Sequence, residues 1–463
     1  MTIVAFTVLS SCKISKDLEA PRDAVPQSYR HNNSSSDTLS VADISWKSFF
    51  ADQDLLALID SAVTRNYDLQ VAQKNIEIAQ FRFTQSKWGN IPQANLQVTA
   101  SSARVSENSL NAFSLNQALG RSHIEDYSAG IGLSWEADIW GKIKNKKKEA
   151  MAQYLYSEET KKALQTIIVA NTAKGYYNLL MLDAQLAIAE KNLKLNDSTL
   201  AIIKLQFDSG HMTSLGIQQA EAQRLVAAQL LPQLQQNISV QENALSILAG
   251  SFPDAKRRSA KLSAVGFDPS IASGVPASLV NRRPDVRAAE LILKASNARV
   301  GISKAYLYPA LTITAAGGVN SFEASNWFTM PASLFGTIAG GLTQPLLNGK
   351  KLRTEFNVAK TEREKSVLQF RQAVLVAVGE VSDAQIQAEK IETRKGIISE
   401  RVKVLELAVR NANLLFKNGM ATYLEVIVAQ GNLLQSELEL ASTQREALSV
   451  NVELYRALGG GWK

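Results

Sequence analysis

Residues 127–139 read YSAGIGLSWEADI. Tyr127, Ala129, Ile131, Leu133, Trp135, Ala137 and Ile139 share one face of an extended chain. Ser128, Gly130, Gly132, Ser134, Glu136 and Asp138 share the other. A period of two with one apolar and one small or polar face predicts a strand. Leu311–Val319, Leu334–Thr343 and the segment near Asn95–Val105 alternate more weakly, with Thr, Ala and Gly between the apolar residues. The four strands are placed at about 94–105, 127–140, 310–320 and 334–345. Such lengths suit tilted strands of about 9–11 residues that cross a bilayer.

A soluble sheet with one wet face gives the same alternation. Two features favour the membrane. Trp88, Trp135, Trp140, Tyr306 and Tyr308 cluster at the strand ends, as an interfacial girdle does. In addition, no separate apolar helix is left to cover a sheet face. Four strands cannot close a membrane barrel, which needs about eight at the smallest. Open edges in lipid leave backbone groups unsatisfied. The membrane reading therefore requires strands from other copies in a closed, symmetric oligomer.

Outward from the strands, the chain repeats itself. Arg65-Asn66-Tyr67-Asp68-Leu69 heads one helical pattern and Arg282-Arg283-Pro284-Asp285-Val286 another. Asp68 stands 24 residues before Pro92, and Asp285 stands 24 before Pro309. Gly141-Lys142 and Gly349-Lys350 then open long helical patterns that end at Phe207-x-x-Gly210 and Phe416-x-x-Gly419. The two Gly-to-Gly spacings are 69 and 70 residues. Each copy, 46–250 and 276–463, reads as helix, strand, loop, strand, very long helix, tight turn, long helix. Residues 251–275, with Pro and Gly breaks, join them.

The long helices are placed at 143–206 and 215–249, and at 350–416 and 424–457. A helix over 143–206 runs about 95 Å at ~1.5 Å per residue. The second copy carries a seven-residue beat: Val367, Phe370, Val374, Ala377, Val381, Ala384, Ala388, Ile391, Lys395, Ile398, Val402, Leu405, Val409, Ala412 and Phe416. The first carries it at Leu182, Leu186, Ala189, Leu193, Asn196, Leu200 and Ile203. This repeat specifies coiled-coil packing. At Arg282-Arg283-Pro284-Asp285, Pro284 fits the first helical position and Asp285 the dipole of the first turn. The arginines are expected to hold the helix entry through carboxylate or carbonyl partners. Lys142, Lys144, Lys146, Lys147 and Lys148 sit at a helix start after a strand, where they are either solvated or meet anionic headgroups of outer membrane lipid.

Composition narrows the rest. The net charge is +7, but 43 acids are scattered among 50 bases, and no basic motif carries interleaved aromatics, so no nucleic acid is expected. His31, His123 and His211 match no metal-ligand spacing. There is no catalytic constellation and no phosphate loop, so neither an enzyme nor a cofactor is expected. Cys12, the one cysteine, follows the apolar run Ile3–Leu9 and the pair Ser10-Ser11. This resembles a bacterial lipobox: a signal peptide at 1–11, a lipidated Cys12 and an extended tail over 12–45. No Lys or Arg precedes the run.

As a set, these motifs resemble the TolC-like outer membrane factors, in the lipoprotein branch that serves tripartite resistance–nodulation–division efflux systems. The carriers are Asn66-Tyr67-Asp68-Leu69, Trp140-Gly141-Lys142, Arg282-Arg283-Pro284-Asp285-Val286, Pro345-Leu346-Leu347-Asn348-Gly349, Phe416-x-x-Gly419 and Thr422-Tyr423-Leu424-Glu425-Val426. The resemblance implies a mixed α and β fold. A transmembrane β-barrel, with four strands per chain and twelve in a homotrimer, would continue into a periplasmic α-helical coiled-coil barrel. It implies a passive exit duct for small molecules such as drugs or metal ions, located in the outer membrane. A periplasmic adaptor (membrane fusion) protein would dock at the turns marked by Gly210, Thr213, Gly419 and Thr422, linking the duct to an inner-membrane resistance–nodulation–division pump. The closed end would be gated around Thr422, Leu424 and Glu425. Glu425 is otherwise a helix-start acid favoured by the dipole. Val428 stands where many members have a second acid, and Gly216 is the uncharged first-copy counterpart of Glu425. A type I protein-secretion channel uses the same fold, and a soluble coiled-coil scaffold is the third reading.

Overall fold

The structure, a computed structural model, describes residues 44–266 and 282–463. The leader at 1–11, Cys12, nearly all of the tail and the part of the joining segment beyond Gly266 lie outside the described residues. In chain order, α1 (Trp46–Phe49), α2 (Gln53–Arg65) and α3 (Tyr67–Lys87) precede β1 (Gln93–Arg104), α4 (Leu110–Leu119) and β2 (His123–Ala137). Helices α5 (Lys142–Asp208) and α6 (Ser214–Leu248) complete the first copy. The second copy runs α7 (Pro284–Ala305), β3 (Ala310–Ser321), β4 (Leu334–Thr343), α8 (Lys351–Lys417) and α9 (Tyr423–Ala457). The long helices α5 and α8 have 67 residues each, and α6 and α9 have 35 each. No described helix is long and apolar enough to cross a membrane.

The chain forms two compact units. The first comprises Ile78–Tyr154 and Leu291–Leu368. It holds one antiparallel sheet in the order β1-β2-β3-β4. The β2–β3 pairing joins the two copies, setting Trp135 opposite Ile313 and Leu133 opposite Ala315. Opposed residues share a face, so the register builds two continuous surfaces. One carries Ala94, Leu96 and Val98, then Ala129, Ile131, Leu133 and Trp135, then Leu311, Ile313 and Val319, then Leu334, Ile338 and Leu342. The other carries Asn95, Gln97 and Thr99, then Ser128, Gly130, Gly132 and Ser134, then Thr312 and Thr314, then Thr337, Gly341 and Thr343. Leu96, Val98, Ile131, Leu334, Ile338 and Leu342 are exposed, so among the described residues most of the apolar face is uncovered, with Val319 at its end buried. From Leu311 to Val319 this face spans roughly 26 Å along the strand at ~3.3 Å per residue.

Four local features differ from the sequence expectation. Strand β2 starts at His123, paired with Arg104, rather than at Tyr127. Its first turns carry His123, Glu125 and Asp126, so the apolar alternation that marks the strand is lost there although the ladder continues. The same strand ends at Ala137 because Asp138 is used elsewhere: its carboxylate accepts the Ile143 and Lys144 amides, both at 2.8 Å, and caps α5. Strand β4 stops at Thr343, close to Pro345, which has no amide to donate to a ladder. Between β1 and β2, where a loop was expected, α4 forms. Ser109 accepts the Ala112 amide at its start, and Gly120 ends it in the left-handed region.

The second unit holds 44–77, the described part of 155–290, and 369–463. Tyr176, Leu179, Leu245, Leu55, Ile59 and Tyr455 form its dry centre. Tyr176 and Tyr455 keep hydroxyl partners: Tyr176 donates to Asp52 at 2.8 Å and Tyr455 to the Ile44 carbonyl at 2.7 Å. Phe49 stacks on Tyr455 with ring centres 4.0 Å apart, which ties α1 to α9. Along α8 the seven-residue beat is the inward face. Phe370, Val374, Ala377, Val381, Ala384, Ile391, Ile398, Val402, Val409 and Phe416 are buried, and the remaining members of the series are half-buried.

Candidate functional site

The two helix turns are built alike. At the first, the Gly210 amide bonds the Phe207 carbonyl at 2.9 Å and the His211 amide bonds Gln206 at 2.8 Å. At the second, Gly419 bonds Phe416 at 3.1 Å and Met420 bonds Leu415 at 2.8 Å. Both are Schellman closures. They need a residue with positive φ, and Gly210 (+74°) and Gly419 (+71°) supply it without a Cβ penalty. Thr213 and Thr422 then sit at the N-caps of α6 and α9.

The two turns share a small core. Ile203 and Leu200 of α5 pack with Ala220 of α6, Phe416 of α8 and Val426 of α9. The Tyr423 hydroxyl donates to the Gln219 side chain, joining α9 to α6. Gly216 is buried under this link. A Cβ there would stand 2.8 Å from the Met212 sulfur and 3.5 Å from the Tyr423 ring. A side chain at this position, such as the acid that its second-copy counterpart Glu425 carries, would displace Met212. The Glu425 carboxylate accepts the Thr422 amide at 2.7 Å, the acid half of a capping box. Leu424, beside it, is exposed.

The Arg282–Asp285 motif sits elsewhere in the second unit. Arg283, only 4% exposed, grips Asp285 with two bonds of 3.0 and 2.7 Å. It also reaches Glu380 of α8 at 2.6 Å and the Ala457 carbonyl at the end of α9 at 3.1 Å. Arg456 bonds the other Glu380 oxygen at 3.1 Å and Glu453 at 2.7 Å, and Lys174 of α5 pairs with Glu453. Cation and anion alternate through six side chains on four helices. Burial raises the cost of the Asp285 carboxylate, but the Arg283 guanidinium outweighs it and holds that carboxyl below its usual range. Burial likewise opposes the Glu453 carboxylate, and Arg456 and Lys174 override it, so this carboxyl too titrates low. Pro284 is the first residue of α7. In the first copy the corresponding cap is Asn66, whose side chain accepts the Asp68 and Leu69 amides at 2.9 and 3.2 Å.

At the α5 end of the sheet, Lys142 meets Glu136 at 2.5 Å and lies 4.9 Å over the Tyr306 ring. Trp140 stacks on Tyr308 at 4.7 Å and donates to the Pro309 carbonyl at 2.7 Å. These groups line a cavity of about 220 Å³ against Glu136, Ala310 and Thr343 of the polar face. Of the aromatics expected to form one girdle, Trp135 lies on the apolar face, whereas Trp140, Tyr306 and Tyr308 turn to this cavity. Among the described residues, no group of three or more His, Cys, Asp or Glu side chains is placed to hold a metal ion.

Sequence reading missed Tyr423–Gln219, Glu380, Arg456 and Lys174. Tyr423 had a visible signal, since it lies inside the Thr422–Val426 motif. Glu380 and Lys174 had none, being ordinary charges on long helices.

Comparison with known proteins places this geometry. The family model described as outer membrane efflux protein matches residues 58–251 and 275–460. The chain is 26% identical to the cation efflux system protein CusC of Escherichia coli, over 98% of this chain and 97% of that protein. It is 26% identical to the antibiotic efflux pump outer membrane protein ArpC of Pseudomonas putida, over 100% of this chain and 95% of that one. In fold it matches the open-state MtrE outer membrane channel of Neisseria gonorrhoeae with a TM-score of 0.85 at 24% identity, over 98% of this chain and 99% of that one. With its family model covering both copies, the chain belongs to the outer membrane efflux protein family.

Proposed function

We propose that the chain is the outer membrane exit duct of a tripartite efflux pump, passive in itself and energised by an inner-membrane partner. One observation carries this reading. A four-stranded sheet has one continuous apolar face, one face of small and polar residues interrupted by Phe335, and an open edge at β1 and at β4. Such a sheet is stable in lipid only when copies pair edge to edge, apolar face outward and polar face around water. Three copies give twelve strands, and the long helices extend the duct into the periplasm.

The turns at Gly210 and Gly419 then form the periplasmic end, where an adaptor protein docks. Around Glu425 the three copies approach the axis. The cargo is small molecules delivered by the pump. Relatives named for cation and for antibiotic efflux share this chain length and fold family, which suits a duct whose cargo is chosen upstream. Purified protein in detergent is expected to run as a trimer and to open water-filled channels in planar bilayers. A monomer with no conductance, recovered from the soluble fraction, would overturn the reading in favour of a scaffold.

A further inference from the structure

We infer that the Glu136–Lys142 pair sets the charge selectivity of the barrel mouth, with Lys142 masking a carboxylate that would otherwise make a cation-attracting ring. This rests on the duct reading above, in which the polar face of the sheet lines the water path.

The polar face is almost free of ionisable groups. Across β1 it presents Gln93, Asn95, Gln97, Thr99 and Ser101, and across β4 Phe335, Thr337, Ala339, Gly341 and Thr343. On β2 the ionisable members of this face are Asp126 at one end, bonded by Asn320 at 2.8 Å, and Glu136 at the α5 end. Glu136 is the last residue of that face before the chain turns into α5. Its side chain is one-third exposed, whereas that of Lys142 is 15% exposed. The carboxylate therefore reaches water while the ammonium is held behind it, between Glu136 and the face of Tyr306.

The neighbouring charges do not replace this pair. Asp138 spends both oxygens on the α5 amides. Counted from the glycine that opens each long helix, Gln344 takes the place of Glu136 in the second copy and carries no charge. Lys144, Lys146 and Lys147 are exposed on the first turns of α5. They set a constant positive background against which the pair is read. A copy-to-copy ring of Glu136 carboxylates acts on ions passing within about 10 Å at 0.1 M salt. Removing either partner therefore shifts permeation in opposite directions.

The test is the reversal potential of purified trimers in planar bilayers under a KCl gradient. Relative to wild type, Lys142→Gln should raise the potassium-to-chloride permeability ratio several-fold, and Glu136→Gln should lower it several-fold. The double variant should return near wild type, and Lys142→Arg should match wild type. Wild-type protein without conductance would overturn the duct reading itself. A conducting wild type with both single variants unshifted would overturn only the role of the pair. Single variants that form no channel, beside a conducting Lys142→Arg, would make the pair a folding clamp and overturn it as well.

Discussion

Arg283 and Glu380 stand 97 residues apart in the chain and meet at 2.6 Å. Through this contact the entry of α7 is bolted to the middle of α8, and through Arg456 and Glu453 to α9 and α5. Arg283→Ala leaves Glu380, Asp285 and the Ala457 carbonyl without their shared donor. Asp285 and Glu380 are partly exposed, and Glu380 keeps Arg456, so the loss is that of unmade hydrogen bonds rather than of a stranded buried charge, about 1–3 kcal/mol. Arg283→Lys keeps the charge but loses the two-pronged grip on Asp285, so its loss should be smaller but measurable. Thermal unfolding of the detergent-solubilised protein checks both. A melting temperature unchanged in Arg283→Ala would show that the motif bears no load.

The same network predicts an acid limit. Asp285 and Glu453 both titrate below their ordinary values of 3.8 and 4.5 in the folded chain. A carboxyl with a depressed folded value stabilises the fold fully above its unfolded value and loses that contribution as pH falls through the folded value. The melting temperature should therefore be flat above roughly pH 5 and fall below it. In Arg283→Ala the Asp285 part of this slope should vanish. An identical slope in variant and wild type would assign the acid sensitivity to other carboxyls.

The two faces of the sheet should respond oppositely to charge. Ile338 lies on the apolar face and Thr337 on the polar one. A lysine facing lipid near mid-membrane costs about 2–4 kcal/mol per copy. Ile338→Lys should reduce the amount of trimer recovered from the outer membrane, while Thr337→Lys should assemble normally. Equal recovery of the two would contradict the assignment of faces.

At the turns, Glu425 separates a charge role from a capping role. Loss of a cap of this kind costs about 1 kcal/mol. Glu425→Gln keeps an oxygen that can accept the Thr422 amide but removes the charge. If the three carboxylates gate cations, Glu425→Gln and Glu425→Ala should alter cation permeation alike. If the carboxylate only caps α9, the glutamine variant should match wild type in single-channel recordings. Gly216→Ala provides a second probe, since its Cβ meets the Met212 side chain and only touches the Tyr423 ring. Met212 should shift to make room, leaving the Tyr423–Gln219 link and the resting conductance unchanged.

What was legible in the sequence was periodic. The alternation at Tyr127–Trp135 and the seven-residue beat from Val367 to Phe416 are properties of single elements, because strand and helix geometry turn spacing directly into faces. The glycines at 210 and 419 were legible for the same reason: a helix closed by a left-handed residue needs neither a distant partner nor a particular neighbour. The repeat made these marks readable twice and led to the fold class that the structural comparison bears out. Helix α4 was missed because its uncharged Leu110–Leu119 run has little periodic signature, and Ser109 and Gly120 are common loop residues as well as caps.

Only the tertiary structure decided which distant groups meet. The pairing of β2 with β3, which joins Trp135 to Ile313, depends on a register that no local spacing encodes. The partners of Arg283 were open to any of many acids, and packing of α7 against α8 and α9 selected Glu380 and the Ala457 carbonyl. The burial of Gly216 beneath Tyr423 is likewise a matter of two turns brought together, 204 residues apart at Gln219 and Tyr423. Local spacing determined the elements and their faces, because backbone geometry acts over a few residues. Long-range packing chose the contacts, because their energy depends on which surfaces fit once those elements are made.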